Sequence, residues 1–308
     1  MIHTRLGATN LLGLMSLGPN GTIGHANADI LNRRGSNVLG SNLLSEFYAR
    51  SEPVARRQML RVGRKFSVAR GYPIPKGFFD DYPRFYTTSQ TTAIPNRLNQ
   101  RHKACIEWNA EAIRGKRILD LASHDGRWSF AAIKAGAVNV VGIEARNYLV
   151  QSATANLRDY GVPDNSFSFI SGDAFEQLDR VEPHSVDTVF CLGFFYHITN
   201  HMLLLSKIAR LKPKYLILDT AIHFDPNNVI LLYTEDPEGE ANAASIEPDA
   251  PERALCGAPS KGALQLMLSN FGWSFAYYDW HRAGIRRWDS IEDYHEGWRV
   301  TLRVTCAV

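Results

Sequence analysis

Cysteine is scarce in this chain. Cys105, Cys191, Cys256 and Cys306 stand far apart and form no Cys-x-x-Cys pair. That spacing argues against a zinc framework and a disulfide scaffold, and it fits a reducing, cytoplasmic setting. No apolar run reaches the roughly 18 residues that a membrane-spanning helix needs, so no membrane partner is expected. Residues 11–17 are apolar but short and lack a basic stretch before them, so no signal peptide is read. A strong charge of either sign is also missing. A net charge of +3 is too small to argue for nucleic acid by itself. There is no internal repeat and no Gly-x-Gly-x-x-Gly, the usual dinucleotide fingerprint. What remains is a chain of 308 residues, 45% of them hydrophobic, which is enough for one large globular domain with additions or two modest ones.

The most regular part runs from Ile118 to Thr220. It opens with Arg117-Ile-Leu-Asp-Leu-Ala-Ser-His-Asp-Gly126-Arg-Trp-Ser, in which an apolar run ends in an acid, a small-residue turn follows, and Trp128 begins an apolar helical pattern. This reads as strand, tight turn, helix. Asn139 to Ile143 is a second strand, and its terminal acid, Glu144, comes 24 positions after Asp120. That is about the spacing that brings a carboxylate to a ribose in a βαβ nucleotide site. Phe167 to Ile170, followed by Gly172-Asp173-Ala174, is a third strand. Val186 to Leu192, followed by Gly193-Phe-Phe-Tyr-His197, is a fourth, and Tyr215 to Leu218, ending at Asp219, is a fifth. Polar groups gather where each strand finishes, and open parallel sheets bind ligands at those carboxyl ends.

With these motifs in this order, the stretch resembles the core of a class I S-adenosylmethionine (SAM) dependent methyltransferase. The resemblance implies an α/β fold: a Rossmann-like, seven-stranded, mostly parallel sheet with an antiparallel last strand, here preceded by a helical and irregular N-terminal extension. It implies SAM as cofactor. Asp120, with the loop through Ala122, Ser123 and Gly126, would hold the amino-acid end, and Glu144 the ribose. Asp173 and Ala174 would take the adenine. Trp128, Ala145 and Leu192 border these motifs and are assigned to the same pocket. The family loop is usually richer in glycine, whereas only Gly126 stands here. His124 must therefore tolerate the turn, and His is among the residues enriched at positive φ.

Val186-Asp-Thr-Val-Phe-Cys-Leu-Gly-Phe-Phe-Tyr-His197 also resembles the strand-4 segment of the group containing the tRNA wobble-uridine carboxymethyltransferases. Ala258 to Leu264, continuing to Phe271-Gly272, resembles that group's late helix. Those enzymes follow Tyr-His with arginines, whereas this chain has Ile198-Thr-Asn200. The architecture is taken from this group and the substrate is not.

The flanks divide the chain further. Residues 1–42 show no sustained period and are read as a flexible or partner-packing arm, which allows a homodimer. Residues 43–113 are read as an N-terminal helical and aromatic cap, and 114–308 as the SAM-binding domain with an insertion at 223–259. Ala55, Met59, Val62 and Phe66 recur at helical spacing among Arg56, Arg57, Arg61, Arg64 and Lys65. That helix has either a solvated basic face or a lid or RNA-contacting role. Residues 71–95 are rich in aromatics and proline and are expected to be irregular, while Arg97 to Ile113 reads as a helix. The insertion carries Asp225, Glu235, Asp236, Glu238, Glu240, Glu247, Asp249 and Glu252 against one cation, Arg253, and is read as a long loop on the ligand side. Ser260 reads as the N-cap of a helix from Lys261 to Asn270, and Ser274 to Trp280 with Trp298 to Thr305 as a closing antiparallel pair.

Methyl transfer is an in-line displacement, so the enzyme must align its acceptor and, for a hydroxyl or protonated amine, remove a proton. His197, which titrates near neutrality, is the candidate base, kept neutral by an apolar surround, and Tyr196 is its catalytic neighbour. Phe194, Phe195 and Tyr86 are assigned to the substrate. His197 and His201 are four apart, as helix ligands can be, but no third ligand has matching spacing and no metal is assigned. Three functions fit: methylation of an O or N atom in a small-molecule substrate, modification of tRNA, and non-catalytic SAM binding. The acidic insertion disfavours a phosphate-rich partner. An NAD-dependent oxidoreductase is disfavoured by the absent glycine fingerprint and by Gly-Asp-Ala after strand 3.

Overall fold

A computed structural model describes residues 76–88, 94–244 and 252–306, all within a compact unit spanning 55–308. The N-terminal arm and the basic helix expected around Ala55 to Phe66 lie outside the described residues.

The strands β1 (Arg117–Leu121), β2 (Asn139–Glu144), β3 (Phe167–Ser171), β4 (Thr188–Leu192) and β5 (Tyr215–Ala221) are parallel, in the order β3-β2-β1-β4-β5. Every residue of β4 and β5 is buried, and these strands read as continuous apolar runs because helices cover both faces of the sheet. The edge strand β3 is half exposed. Two later strands of a separate pair, β6 (Ile230–Glu235) and β7 (Ala254–Pro259), come next in the chain. The main sheet is then completed by β8 (Ser274–Tyr277) and β9 (Arg299–Thr305). β9 lies antiparallel to β5, and β8 is antiparallel to β9 on the outside. The strand order reverses where β1 meets β4, and the crevice beyond the carboxyl ends at such a point is where open α/β sheets bind ligands.

Alternation along the strands sends side chains to two cores. Leu119, Leu121, Val189, Cys191, Leu216 and Leu218 face one side. There they meet Leu204, Leu205 and Ile208 from a helix at His201–Leu211, and Leu264 and Leu268 from another at Lys261–Asn270. Ser260 caps the latter, its hydroxyl accepting from the Ala263 N–H. Ile118, Phe190, Leu192 and Ile217 face the other side. They pack with Trp128 and Phe130 of a helix at Arg127–Lys134, and with Phe79, Phe85 and Leu98 of the N-terminal segment. That segment is two 3-10 turns, Phe78–Asp81 and Pro83–Tyr86, whose rings form an edge-to-face cluster with Phe130 and Tyr160.

Two expectations are corrected. The helix anticipated from Arg97 to Ile113 is broken into Pro95–His102, a π turn at Lys103–Glu107, and a short helix at Ala110–Ile113. Asn109 accounts for the break. Its side-chain amide donates to the Ala104 and Cys105 carbonyls, at 2.9 and 3.1 Å, that the wider turn leaves without helical partners. The insertion at 223–259 is also not a loop throughout. β6 and β7 form an antiparallel pair, with Tyr233 opposite Cys256 and Thr234 opposite Leu255. The intervening 236–244 is described, and 245–251 is not.

Candidate active site at the carboxyl ends of the strands

The first strand–turn–helix builds a buried acidic cradle. Asp120 is 1% exposed at the end of β1, and Ser129 Oγ donates to its Oδ2 at 2.6 Å. The turn beyond it places both Ala122 and His124 in the left-handed region, at φ 53 and 56°, with Gly126 at 78°. Gly126 has a second reason to be glycine: a Cβ there would lie 3.0 Å from Ala153, Leu157 and Phe169 side-chain atoms. Ser123 Oγ is buried and has no hydrogen-bond partner among the described residues. Asp125 is tied to Arg127 by two hydrogen bonds, 2.6 and 2.8 Å, and accepts a third from Thr88 at 2.7 Å. That ion pair holds the Asp125 carboxyl well below the usual carboxylate range despite its burial.

Glu144, 4% exposed at the end of β2, accepts from the backbone N–H of His124 and of Arg146, each at 3.0 Å. Asp120 and Glu144 are therefore buried close together, and the nearest guanidinium is already committed to Asp125. Burial first, then the charges of Glu144 and Asp125, push Asp120 up to about 7, against the Ser129 hydrogen bond. A site with this excess of carboxylate favours a cation. SAM carries an ammonium and a sulfonium, and the charge of these residues fits it. Asp173, after β3, caps the helix Ala174–Arg180, and its Oδ1 accepts from Phe175 N and Glu176 N. Ala174 is buried beside it. Ala145 continues the bend after Glu144, Leu192 sits in the core at the end of β4, and Trp128 packs edge-on to Phe79 beneath the Arg101 guanidinium.

The fourth strand leads to Gly193, at φ 104°, where a Cβ would come within 3.2 Å of Arg299 Nη2. A 3-10 turn at Phe195–His197 follows. Phe194 lies against the first core, and Phe195 is fully buried in it with its ring against His201. The Tyr196 ring contacts that of His197 at 4.0 Å, and Arg299 Nη1 donates to its hydroxyl at 3.3 Å. Tyr86 is held in the N-terminal segment, donating to Asp80 at 2.6 Å and accepting from Asn99 at 3.1 Å.

His197 is not in the apolar surround expected for it. Its Nδ1 lies 2.7 Å from Glu235 Oε2, a residue of the insertion that the sequence shows only as one acid among eight. Burial would lower the imidazole's pKa, but Tyr196 and then Glu235 override it, and the net shift is upward. His201 does not converge with His197: its Nε2–H donates to the Gly257 carbonyl at 3.0 Å, and burial lowers its pKa.

The insertion also reaches the cofactor cradle. The Arg146 guanidinium donates to the carbonyls of Pro237, Gly239 and Asn242, at 3.0, 2.9 and 3.2 Å. Glu240 lies 3.4 Å from His124 Nε2 and accepts from the Tyr148 hydroxyl at 3.4 Å.

Residues 118–214 match the family described as a methyltransferase domain. That match covers the strands β1 to β4 and the helices between them, the part of the chain that carries the strand-end acids. The chain is 27% identical over 121 residues to a ubiquinone biosynthesis O-methyltransferase of Neisseria meningitidis, covering 39% of this chain and 50% of that one. It is 28% identical over 170 residues to a tRNA U34 carboxymethyltransferase of Pseudomonas aeruginosa, covering 53% of this chain and 47% of that one. The chain thus spans about half the length of the curated relatives it matches. Among solved structures, the N-terminal domain of EvdMO1 in the presence of SAH and D-fucose matches with a TM-score of 0.49 at 18% identity, over 68% of this chain and 82% of that one. The methyltransferase-domain match and the acidic groups at the strand ends together support SAM as the cofactor.

With Asp120 facing the ligand's ammonium, its protonation is expected to set the pH dependence of binding. An ammonium favours the ionised carboxylate, and below about 7 that carboxyl must first lose its proton. Affinity for S-adenosylhomocysteine (SAH), the demethylated product, should fall by up to about tenfold per pH unit below that point. Calorimetry from pH 5 to 8 checks this. Asp120→Asn should bind more weakly and with a flat profile, and a flat profile in the wild type would contradict the assignment.

Proposed function

We propose that the protein transfers a methyl group from SAM to an oxygen or nitrogen atom of a small-molecule acceptor. Bound SAM supplies an electrophilic methyl group on a sulfonium. The chain's own residues hold it through Asp120, Glu144 and the intervening turn, align the acceptor beside Gly193 and Tyr196, and take up the acceptor's proton at His197.

One observation carries the small-molecule reading. The acidic insertion folds onto the ligand side of the sheet through Arg146, which brings Glu235 and Glu240 to the rim of the site. Carboxylates there repel a phosphate backbone, the source of most affinity for RNA.

The test is to incubate the protein with methyl-labelled SAM and either a low-mass metabolite extract or total tRNA. The label is expected in the low-mass fraction. Label in tRNA, with an affinity that falls steeply as salt rises, would replace this reading with RNA modification.

A further inference from the structure

β6 brings three groups to one point beside the acceptor position: Glu235, from the same strand Tyr233, and from the paired strand Cys256. Glu235 Oε2 accepts from His197 at 2.7 Å, from the Ala243 N–H at 2.7 Å, and from the Cys256 thiol at 3.4 Å. Tyr233 donates its hydroxyl to the Tyr196 carbonyl at 2.9 Å, which fixes the turn that carries His197. The hairpin therefore holds both the backbone and the ring of this histidine.

We propose that Glu235 is a positioning residue that fixes the tautomer and orientation of His197, so that Nε2 is the atom that accepts the acceptor's proton. The inference rests on the methyl-transfer reading and deepens it. A carboxylate facing Nδ1 requires the proton to reside there, because a carboxylate accepts and cannot donate. Nε2 then carries the lone pair, and no hydrogen bond to it occurs among the described residues. As the acceptor's O–H or N–H bond breaks, its proton passes to Nε2, and the bonding pair stays on the acceptor atom. The imidazolium that forms is stabilised by the adjacent carboxylate, and loss of the proton to solvent restores the neutral ring. The logic is that of a base oriented by a third group.

The charged groups around the ring agree. Tyr196 and Glu235 favour the imidazolium, while burial and the Arg299 guanidinium oppose it. Glu235 is held low by His197, the Ala243 N–H and Cys256 against its own burial, so it is present as the carboxylate.

The same three atoms, His197 Nδ1, Glu235 Oε2 and Cys256 Sγ, also make a set that could ligate a metal. The donor chemistry favours the relay. Cys256 Sγ lies 3.4 Å from Glu235 Oε2 as a thiol donating to the carboxylate, and His197 Nδ1 is already hydrogen-bonded to the same oxygen, so each group has a partner within the set.

The experiment uses the full chain with SAH bound and carbon-13-labelled histidine. The wild-type His197 resonance is expected to titrate above the ordinary value of 6.5, and Glu235→Gln should lower that midpoint by about one unit or more. The variant amide can donate to Nδ1 and leave the proton on Nε2, so kcat should fall roughly 10²-fold with KM within a few-fold. The acid limb of the pH–kcat profile should move with the midpoint. An unchanged midpoint in a folded Glu235→Gln overturns the proposal. If that variant does not fold, the wild type decides: a midpoint at or below 6.5 overturns it. A thiolate-to-metal charge-transfer band on adding cobalt(II), absent in Cys256→Ser, also overturns it in favour of a metal centre. A wild type that binds SAH and transfers no methyl group to any acceptor overturns the functional reading, and the titration still decides the role of Glu235.

Discussion

Asp219→Ala should cost about 3–5 kcal/mol of folding stability, the scale for leaving a buried charge without its partner. Asp219 is fully buried in β5, two residues before its end. It accepts from Arg299 at 2.7 Å, Arg101 at 3.0 Å, Thr301 at 2.6 Å and the Tyr294 hydroxyl at 2.9 Å. Those groups come from the N-terminal segment, from the short helix Glu292–His295 and from β9, so one carboxylate ties together parts of the chain far apart in sequence. Removing it leaves two buried guanidiniums facing each other. The remaining pair, Arg97 with Asp293 at 2.7 Å, cannot neutralise them. Burial would raise the Asp219 pKa, but Arg299 and then Arg101 hold it far below the usual 3.8. Its contribution is therefore full above about pH 4 and lost as the pH falls through the depressed folded value. Urea unfolding at pH 7 measures the loss, and a change below about 1 kcal/mol would show that the network is dispensable.

His197→Ala should leave SAH affinity within a few-fold of wild type and lower kcat by roughly 10²-fold or more, the usual range for a lost general base. His197→Gln should be nearly as slow, since it can hold a hydrogen bond but cannot take up a proton at neutral pH. The base must be neutral to act, and its pKa is raised, so wild-type turnover should climb as the pH rises through a midpoint above 6.5. Steady-state kinetics with the identified acceptor measures all three. Full turnover in the Gln variant would reduce His197 to a structural role.

The sheet was legible because its information is local. β1, β2, β4 and β5 are mainly apolar runs with a polar or acidic residue, or a Gly turn, at or just past their ends, and the buried β4 and β5 carry no alternation to confuse with a helix. Asp120 and Glu144 could be placed near strand ends from the apolar runs and their 24-residue spacing, and Asp173 after β3 from the Gly-Asp-Ala that follows it. The turn also followed from residue type, since His124 takes the left-handed conformation that the lack of glycine demands. The hairpin β6–β7 was not legible. Ile230 to Glu235 is a β-rich run between Asp225-Pro-Asn-Asn228 and Asp236-Pro-Glu-Gly239, but its partner strand lies 18 residues further on, and no local pattern pairs the two. The Glu235–His197 contact joins residues 38 positions apart through that unseen pairing, so no spacing rule reveals it. The environment of His197 was misjudged for the same reason. Its sequence neighbours Phe194 and Phe195 are apolar, but Phe195 turns into the core and the imidazole faces a carboxylate instead. The π turn at Lys103–Glu107 depends on Asn109 folding back on its own helix, which the apolar period does not record.

The central claim is that the carboxyl ends of β1 and β2 form a SAM pocket. Titration calorimetry of SAH and of NADH into the full chain at pH 8, with Glu144→Ala alongside, tests it most directly. The account predicts that SAH binds, that NADH does not, and that Glu144→Ala weakens SAH by more than about 1 kcal/mol, the scale of hydrogen bonds to a charged group. Binding of NADH without SAH, or SAH affinity unmoved in Glu144→Ala, would contradict it.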